Sequence, residues 1–411
     1  MGEFVEIPPV SSSFSEKEPV LLQVTPIGRI PTPGRHVHGR KVYPRNDITP
    51  ETHTMGTSLP QYLKIKVHQL ALERAYSEII VVPDYNRYGS PSSVAFDGEK
   101  RDKPFNWERP TARMDEETNI LYVECFPGFD HIEHYAEIIA GYLRILESQG
   151  VNNLTPSSAV SFVPASCSDT LRALEERTNL SEFPGDGVDT VVLGLVWHLG
   201  DLTGITKKDP SGAGWNGDGP WQWTVKTFGN GRRVAFLGFR PAFWGCISGE
   251  VVHYLASRYK SVKEVIYLGK LGVLTKGVRP NRWLATGGRS LVNGRMVEWD
   301  NSLEPVSCEL ASECVMVGSH VTLGSVLHET KEWHAELAGT VDFVDPEIGK
   351  IAQAAVRSGI RFGYLHMITD NLGEKYDEDL SNERTESVLT SRARLHRVVQ
   401  DVMGHHLSRP L

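Results

Sequence analysis

The chain has 411 residues and a mass of 45.8 kDa, which predicts two to three globular units at about 100 to 200 residues each. Hydrophobic residues make up 40% of it and charged residues 23%, so the composition excludes a disordered chain, a collagen-like repeat and a coiled-coil rod. With 43 Lys and Arg against 51 Asp and Glu, the net charge of −8 argues against nucleic acid or an anionic membrane as a partner.

Cysteine usage and the N-terminal sequence indicate the compartment. The five cysteines, at positions 125, 167, 246, 308 and 314, include no CxxC pair, so we expect reduced, mostly buried thiols rather than disulfides or a zinc ribbon. The start MGEFVEIPPVSSSF has no basic stretch followed by an apolar one, and no apolar run approaches the ~18 residues of a membrane span. These features predict a cytoplasmic protein.

Residues 1–57 contain eight of the 24 prolines, which exclude long regular elements because proline fixes φ and has no N–H donor. This composition predicts a Pro-rich N-terminal arm that wraps the body or a neighbouring subunit. His36 and His38 lie in it without a third ligand at suitable spacing, so we interpret them as solvated histidines rather than a metal site.

Residues 58–183 alternate between helical and strand-like patterns, which predicts a first, smaller α/β domain of unknown role. The expected elements are a helix at 63–76, strands at 78–83 and 120–126, a helix at 132–146 and a strand at 159–164. The HIEH sequence at 131–134 is one residue short of a zinc-protease HxxEH motif, so we interpret it as a cluster on the helix surface. The segment SEFPGDGVDT at 181–190 is the expected domain boundary.

Residues 184–411 repeat the alternation and predict a second α/β domain. The GAGWNG segment at 212–217 matches GxGxxG, but Pro220 follows it instead of a helix, so we do not predict a dinucleotide site. Trp215, Trp221 and Trp223 either line a pocket for a flat ligand or pack in the core. The expected elements are strands at 190–196, 221–228, 233–238 and 264–267, helices at 248–259, 345–355 and 380–403, a strand near 282–285, an apolar run at 320–327 and a strand at 361–368.

Three polar features follow apolar stretches of this second domain, which is where open α/β sheets bind ligands. The first is a glycine-rich turn, LGKLG at 268–272, whose backbone N–H groups are expected to converge on an anion. The second is Glu347 in VDPE. The third is Asp370 with Asn371 after the strand GYLHMI, followed by Arg384 at the start of a later helix.

In this order and spacing, EVIYLGKLGVL, VTLGSVLHETKEWHAELAGTVDFVDPEIGKIAQAA and GIRFGYLHMITDNL resemble motifs of the nucleoside phosphorylase superfamily, which contains purine nucleoside and uridine phosphorylases and the related nucleosidases. The resemblance spans about 190–403. It implies a phosphorylase-like mixed central sheet flanked by helices in residues 184–411. It also implies a homo-oligomer, a small-molecule nucleoside or nucleotide as ligand, no metal or organic cofactor, and phosphate as a candidate co-substrate.

The resemblance also implies catalytic roles. Asp370 matches the acid that protonates the departing base, Arg384 matches the arginine that pairs with this acid, and Glu347 matches the glutamate that accepts hydrogen bonds from the ribose hydroxyls. Each residue also has a structural interpretation. Asp370 would cap a turn, Arg384 would be an exposed helix cation, and Glu347 would complement a helix N-terminus.

The chain departs from the family pattern on the side of the nucleophile. Tyr267 and Lys270 stand where many phosphorylases carry the phosphate-binding Arg and the Ser or Thr of the turn, so Lys270 would hold phosphate or an anionic group of the substrate, or occupy that site itself. The implied anion-binding set is Tyr267, Gly269, Lys270 and Gly272. Pro346 replaces the Met of a Met-Glu pair and His366 stands where nucleosidases often carry Arg, so the implied substrate-binding set is Pro346, Glu347, His366 and Asn371.

These features predict an enzyme that cleaves the N-glycosidic bond of a nucleoside by phosphorolysis or hydrolysis, with a purine base favoured over a pyrimidine base. Two alternatives remain. One is a nucleoside- or nucleotide-binding sensor or scaffold without turnover, and the other is a specialised-pathway transferase that uses the same pocket.

Overall fold

The computed structural model describes residues 40–85, 93–98, 103–205, 214–378 and 384–411. Most of the expected Pro-rich arm, the first two residues of GAGWNG and residues 379–383 lie outside these ranges. The described strands form two separate sheets, one from residues 78–162 and one from residues 190–371. The molecule is therefore an α/β protein with two mixed sheets flanked by helices.

The first sheet has the strand order β2-β3-β4-β1-β5. Its strands are β1 (Glu78–Val82), β2 (Val94–Ala95), β3 (Thr111–Asp115), β4 (Ile120–Glu124) and β5 (Val160–Phe162). The central strand β1 is parallel to β4 and β5 and is almost completely buried, which agrees with its apolar sequence EIIVV. Val42, near the beginning of the described residues, forms a bridge with Phe162 of β5.

The second sheet is built around a long central strand, β9, which pairs with β16, β6 and β15. The strands are β6 (Thr190–Gly194), β7 (Trp221–Thr227), β8 (Arg233–Phe239), β9 (Glu264–Val273), β10 (Leu284–Thr286), β11 (Arg289–Val292), β12 (Arg295–Glu298), β13 (Val315–Val317), β14 (His320–Thr322), β15 (Phe343–Asp345) and β16 (Arg361–Asn371). Its order is β12-β11-β14-β15-β9-β16-β10-β13, with β6 next to β9 and β8, and β7 next to β8.

Helices cover both faces of the second sheet, because alternate residues along its strands enter different cores. The α-helices are α1 (Leu59–Lys64), α2 (Phe129–Ser148), α3 (Cys167–Glu176), α4 (Gly200–Thr203), α5 (Cys246–Arg258), α6 (Glu304–Ala311), α7 (Lys331–Leu337), α8 (Ile348–Ser358) and α9 (Glu386–Ser408). On β9, for example, Val265 packs in the core that includes α5 and α8, and Ile266 packs in the core that includes α6 and α9.

The prediction of a glycine-rich turn at 268–272 is wrong, because β9 continues through both glycines to Val273. The strand is extended by its parallel pairing with β16, which has only one irregularity, between Ile368 and Asp370. Glycine at 269 allows a close approach of the neighbouring strand, since a Cβ there would lie 2.6 Å from Nε2 of the buried His366. The close packing, rather than a tight turn, accounts for this glycine.

The other edge of β9 is paired in two separate pieces. β6 pairs with it as far as Leu268, and β15 pairs with it only at Gly272 and Val273. Among the described strands none covers the intervening edge at 269–271. The interruption is maintained by Gly194, where the chain leaves β6 at φ +91° and a Cβ would lie 2.0 Å from the Leu268 carbonyl oxygen.

Three further expectations need correction. The helix expected at 63–76 is the short α1 followed by a 3-10 turn at Gln69–Leu72, because the side chain of His68 accepts a hydrogen bond from the Leu70 N–H and starts a new turn. The HIEH sequence is not on a surface, since His131 and His134 are each 3% exposed between α2 and the rest of the protein. The cysteines are unpaired as expected, but Cys167 and Cys308 are exposed rather than buried.

The two sheets are joined by packing around residues 326–330. Leu327 lies on the chain between the second-sheet strands β14 and β15, yet it packs in the core of the first sheet. His53 pairs with Thr330 in an isolated bridge. No helix of the described residues is long and apolar enough to cross a lipid bilayer.

A Gly194→Ala variant tests the backbone geometry at the end of β6. We expect it to lower the free energy of unfolding by about 2 kcal/mol or more, because the methyl group meets a backbone oxygen at positive φ. The control is Gly229→Ala, where a Cβ has no heavy atom within 4 Å and φ is not in the left-handed region. Urea unfolding measures both, and equal midpoints would contradict the role given to Gly194.

Candidate active site

A cavity of about 240 Å³ lies at the interrupted edge of β9, between the two parts of the chain. The second sheet contributes Tyr267, Gly269, Lys270 and Gly272 from β9, Pro346 and Glu347 from the β15–α8 connection, and Asp370 from the end of β16. The segment before β3 and the end of α1 contribute Tyr62, Lys66, Lys103, Phe105 and Arg109. The fold therefore brings together most of the residues selected from the sequence, and adds residues from the first part of the chain.

Glu347 is fixed in the cavity wall by its neighbours on the same connection. Oδ1 of Asp345 accepts hydrogen bonds from the backbone N–H groups of Glu347 (2.9 Å) and Ile348 (2.8 Å), so Asp345 rather than Glu347 caps α8. The Glu347 side chain instead accepts from the Tyr267 hydroxyl and the Gly245 backbone N–H. Burial first, and then the charge of Asp345, raises the pKa of Glu347 well above its usual range. The carboxyl group is therefore held by Tyr267 and Gly245 at the cavity wall rather than by its own helix.

Asp370 lies directly after the irregularity of β16, two residues beyond the Ile368–Leu271 pair, and is itself paired with Gly272 of β9. Its Oδ1 accepts a hydrogen bond from the Thr369 hydroxyl at 3.2 Å. Its Oδ2 approaches Gly272 so closely that a Cβ there would lie 3.0 Å away. Asp370 also lines a smaller neighbouring cavity of about 40 Å³. The bulge thus turns the carboxylate across the end of β9 into the cavity.

A second acid, Glu329, faces the same space as Asp370, and it lines both cavities. Glu329 is only 4% exposed, and burial together with the charge of Asp370 raises its pKa well above the usual value. Two carboxyl groups in one low-dielectric site favour a state in which the pair retains a proton. Sequence reasoning missed Glu329 because a glutamate just before a short helix carries no distinguishing pattern.

Three of the expected site residues do not line the larger cavity. His366 is completely buried behind Gly269, with Nε2 at 3.5 Å from Asp345 Oδ2, and burial lowers its pKa to about 4. Asn371 instead organises a loop, since its amide donates to the carbonyls of residues 275 and 278, both at 2.8 Å. Arg384 is exposed just before α9.

Another arginine, Arg392, is affected by the charge of Asp370. It is 6% exposed, and its Nε donates to Asn281 Oδ1 at 2.7 Å. Burial lowers its pKa to about 10, while the Asp370 charge opposes this shift. A candidate cationic partner for the acid therefore lies within α9, eight residues beyond Arg384. The motif spacing did not reveal it.

Aromatic side chains form much of the remaining wall. Trp221 and Phe239 stack with ring centroids 4.1 Å apart and an interplanar angle of 14°, and both line the cavity. Of the three tryptophans considered from the sequence, Trp221 therefore lines a pocket, Trp223 packs in the main core and Trp215 packs edge-on against Phe105. An apolar aromatic wall suits a flat heterocycle.

Within the described part of the chain, one group of side chains away from this cavity has suitable atoms for a metal. Ligand atoms of Glu133, Glu137 and His328 lie within 4.8 Å of one another. His328 Nε2 donates to Glu137 Oε1 at 2.6 Å, and burial together with the Glu137 charge raises the pKa of Glu133 to about 7. A hydrogen bond to Asp47 and then the charges of Glu137 and Glu133 raise the pKa of Arg45. Cationic side chains of the protein thus offset the negative charge of the cluster. That the protein requires no metal stays a prediction.

No protein-family model and no curated protein matches this sequence. Solved structures similar to it include a futalosine hydrolase mutant of Helicobacter pylori (14% identity, 53% of this chain and 99% of that one, TM-score 0.41) and a 5'-methylthioadenosine/S-adenosylhomocysteine nucleosidase of Campylobacter jejuni (12%, 53% and 99%, 0.42). A nucleosidase of the latter type from Colwellia psychrerythraea, in complex with adenine, is a third (12%, 54% and 97%, 0.40). Two of these neighbours are named nucleosidases, and the third is named a futalosine hydrolase.

A Glu329→Gln variant tests the raised pKa of this acid. A carboxyl group with a raised folded-state pKa contributes stability below its unfolded pKa and loses it as the pH rises through the folded pKa. Because glutamine cannot ionise, we expect the stability of the variant relative to wild type to increase by about 1 kcal/mol or more from pH 5 to pH 8.

Denaturant unfolding at both pH values gives this difference. The control is Glu332→Gln, on the exposed surface of α7, for which we expect no change of relative stability with pH. The same flat result for Glu329→Gln would contradict a buried, proton-retaining carboxyl group.

Proposed function

We propose that the cavity binds a nucleoside and cleaves its N-glycosidic bond, with Asp370 at the base and Glu347 at the pentose. One observation carries the proposal. The two carboxyl groups that the sequence resemblance identifies as acid and sugar ligand line the same cavity, although 22 residues separate them along the chain. The structural role considered for Glu347 is weakened, because Asp345 caps α8 and the Glu347 side chain faces Tyr267.

The cleavage requires opposite developing charges to be stabilised at the two ends of the breaking bond. As the C–N bond stretches, positive charge develops on the pentose and negative charge on the departing base. Asp370, assisted by the proton-retaining Glu329, would deliver a proton to the base, and the Glu347 carboxyl group would accept hydrogen bonds from the sugar hydroxyls. Fixed orientation by Asp345 and Tyr267 lowers the entropic cost of holding the sugar.

The nucleophile is water in hydrolysis and phosphate in phosphorolysis. Hydrolysis yields the free base and the pentose, and phosphorolysis yields the base and a pentose 1-phosphate. Lys270 on the uncovered edge of β9 lies on the wall with Gly269 and Gly272 and supplies a positive charge there. We place the attacking group at this edge.

We further propose that the protein is a homo-oligomer, on the sequence resemblance alone. Size-exclusion chromatography with light scattering tests this proposal.

Release of free base from a panel of purine and pyrimidine nucleosides, with and without phosphate, tests the activity. We expect Asp370→Asn to lower kcat by about 10²- to 10⁴-fold, because proton delivery to the leaving base is lost. We expect Glu347→Gln to lower kcat/KM by about 10- to 100-fold, because an amide nitrogen, which can only donate, replaces a carboxyl oxygen that faces the sugar hydroxyls or Tyr267.

The matched control is Asp401→Asn, a carboxylate exposed on α9, which should retain the wild-type rate. Full activity of Asp370→Asn, or no base released by the wild type from any nucleoside, would overturn the assignment. Saturable calorimetric binding of a nucleoside without cleavage would favour the sensor alternative.

A further inference from the structure

Two carboxyl groups of α2 and an imidazole from the second part of the chain face one another outside the candidate active site. Glu133 and Glu137 are four residues apart, so they lie on the same side of α2. His328 ends the 3-10 turn Val326–His328. One carboxyl oxygen of each glutamate and one ring nitrogen of His328 lie within 4.8 Å of one another. This cluster therefore unites side chains from both parts of the chain.

The donor atoms of the cluster suit Zn²⁺. This ion binds imidazole nitrogen and carboxylate oxygen at about 2.0–2.2 Å, which places tetrahedral ligand atoms about 3.3–3.6 Å apart. Small rotations of side chains that already lie within 4.8 Å would reach this spacing. Mg²⁺ and Ca²⁺ prefer oxygen ligands alone, so the imidazole favours Zn²⁺. Glu133 and His328 are partly exposed, and an ion can therefore reach them from solvent.

The burial of Glu137 independently points to a bound cation. The side chain of Glu137 has 0% exposure. Its Oε1 accepts a hydrogen bond from His328 Nε2 at 2.6 Å, but Oε2 has no hydrogen-bond partner among the described residues. Because both oxygens belong to one carboxyl group, Oε2 lies beside the atom that meets His328, within the cluster. A buried carboxyl oxygen without a donor costs free energy, and a metal ion bonded to it offsets that cost.

Arg45 is a protein cation near the same glutamates, and its charge acts on both of them. Its guanidinium group is directed at Asp47, with Nε at 3.0 Å from Oδ1 and Nη2 at 2.5 Å from Oδ2. A planar guanidinium that forms this two-point contact with one carboxylate has its donors fixed in that direction. Arg45 therefore offsets part of the charge of the cluster through space, whereas a metal ion would bond the carboxyl oxygens directly.

We propose that Glu133, Glu137 and His328 bind one Zn²⁺ ion, with water as the fourth ligand. The ion replaces the hydrogen bond between Glu137 and His328. Nε2 then bonds the ion through its lone pair, and its proton moves to Nδ1 or, from a doubly protonated ring, to water. Because the next residue, Glu329, lines the candidate active site, the ion fixes the segment that carries this acid to the cavity. The proposed cleavage does not use this ion.

Calorimetry on the full chain, after treatment with a chelator and dialysis, tests the binding. The probes are Zn²⁺ and Mg²⁺ as their chlorides. We expect one Zn²⁺ ion per chain, bound about tenfold or more tightly than Mg²⁺, because only Zn²⁺ gains from the imidazole. No saturable binding of Zn²⁺, or equal affinity for Mg²⁺, would overturn the proposal.

Variants assign the bound ion to the cluster. Glu133→Gln and, separately, His328→Asn should each lower the affinity for Zn²⁺ by about tenfold or more, because each removes one of three protein ligands. The matched controls are Glu332→Gln on α7 and His253→Asn on α5, which change the same residue types at exposed positions. Glu133 is only partly buried, so we expect its variant to fold even if His328→Asn does not. Unchanged affinity in Glu133→Gln would overturn the proposal.

X-ray absorption at the zinc edge gives a second readout, which a merely structural role of these residues would not produce. We expect nitrogen and oxygen neighbours only, with the scattering pattern of one imidazole, and we expect that pattern to be lost in His328→Asn. Sulfur in the coordination shell would place the ion at a cysteine and would overturn the proposal.

The metal site is independent of the proposed function. Zn²⁺ binding that Glu133→Gln weakens supports the site whether or not the protein releases a base from a nucleoside. Release of base by the wild type, without saturable binding of Zn²⁺, would support the enzyme and refute the metal site.

Discussion

The two-part pairing of one edge of β9 is the constraint on which the site depends. β6 leaves this edge at Gly194, and β15 joins it only at Gly272, so the sheet is interrupted at its centre rather than at its margin. Strand edges within a sheet are normally covered, and a gap in the pairing creates a polar cleft between well-packed layers. The strands on both sides of that gap are buried, which fixes the backbone positions of the side chains that line it.

The first part of the chain completes the cavity instead of forming a separate body. Leu327 packs in the core of the first sheet, and the next residues of the same segment carry Glu329 to the cavity. Tyr62, Lys66 and Arg109 close the opposite side. Because both parts of the chain contribute charged side chains to the lining, the electric field in the cavity depends on how the two sheets are joined. A change at the junction would therefore alter both stability and ligand binding.

Local sequence patterns were sufficient to predict the elements whose buried residues recur with helical or strand periodicity. The expected strand at 361–368 and the helix near 345–355 are present as β16 and α8, and Ile348, Ile351 and Ala355 of the predicted helix face are completely buried. Long-range pairing overrode local preference elsewhere. The glycines of LGKLG suggested a turn, but pairing with β16 keeps β9 extended through them. The segment at 63–76 has a helical pattern, yet His68 breaks it by starting a new turn.

The sequence by itself determined the α/β class through the periodicity of its apolar residues, and the resemblance of its motifs, taken in order, selected Asp370, Glu347 and Lys270 as candidate site residues. Only the tertiary structure decided which other groups share their cavity. Glu329, Lys66 and Arg109 lie in segments without a recognisable pattern, and Arg384 proved to be exposed while Arg392 is buried near the charge of Asp370. Proximity between residues hundreds of positions apart follows from how sheets pair and pack, and a local pattern carries no information about that distance.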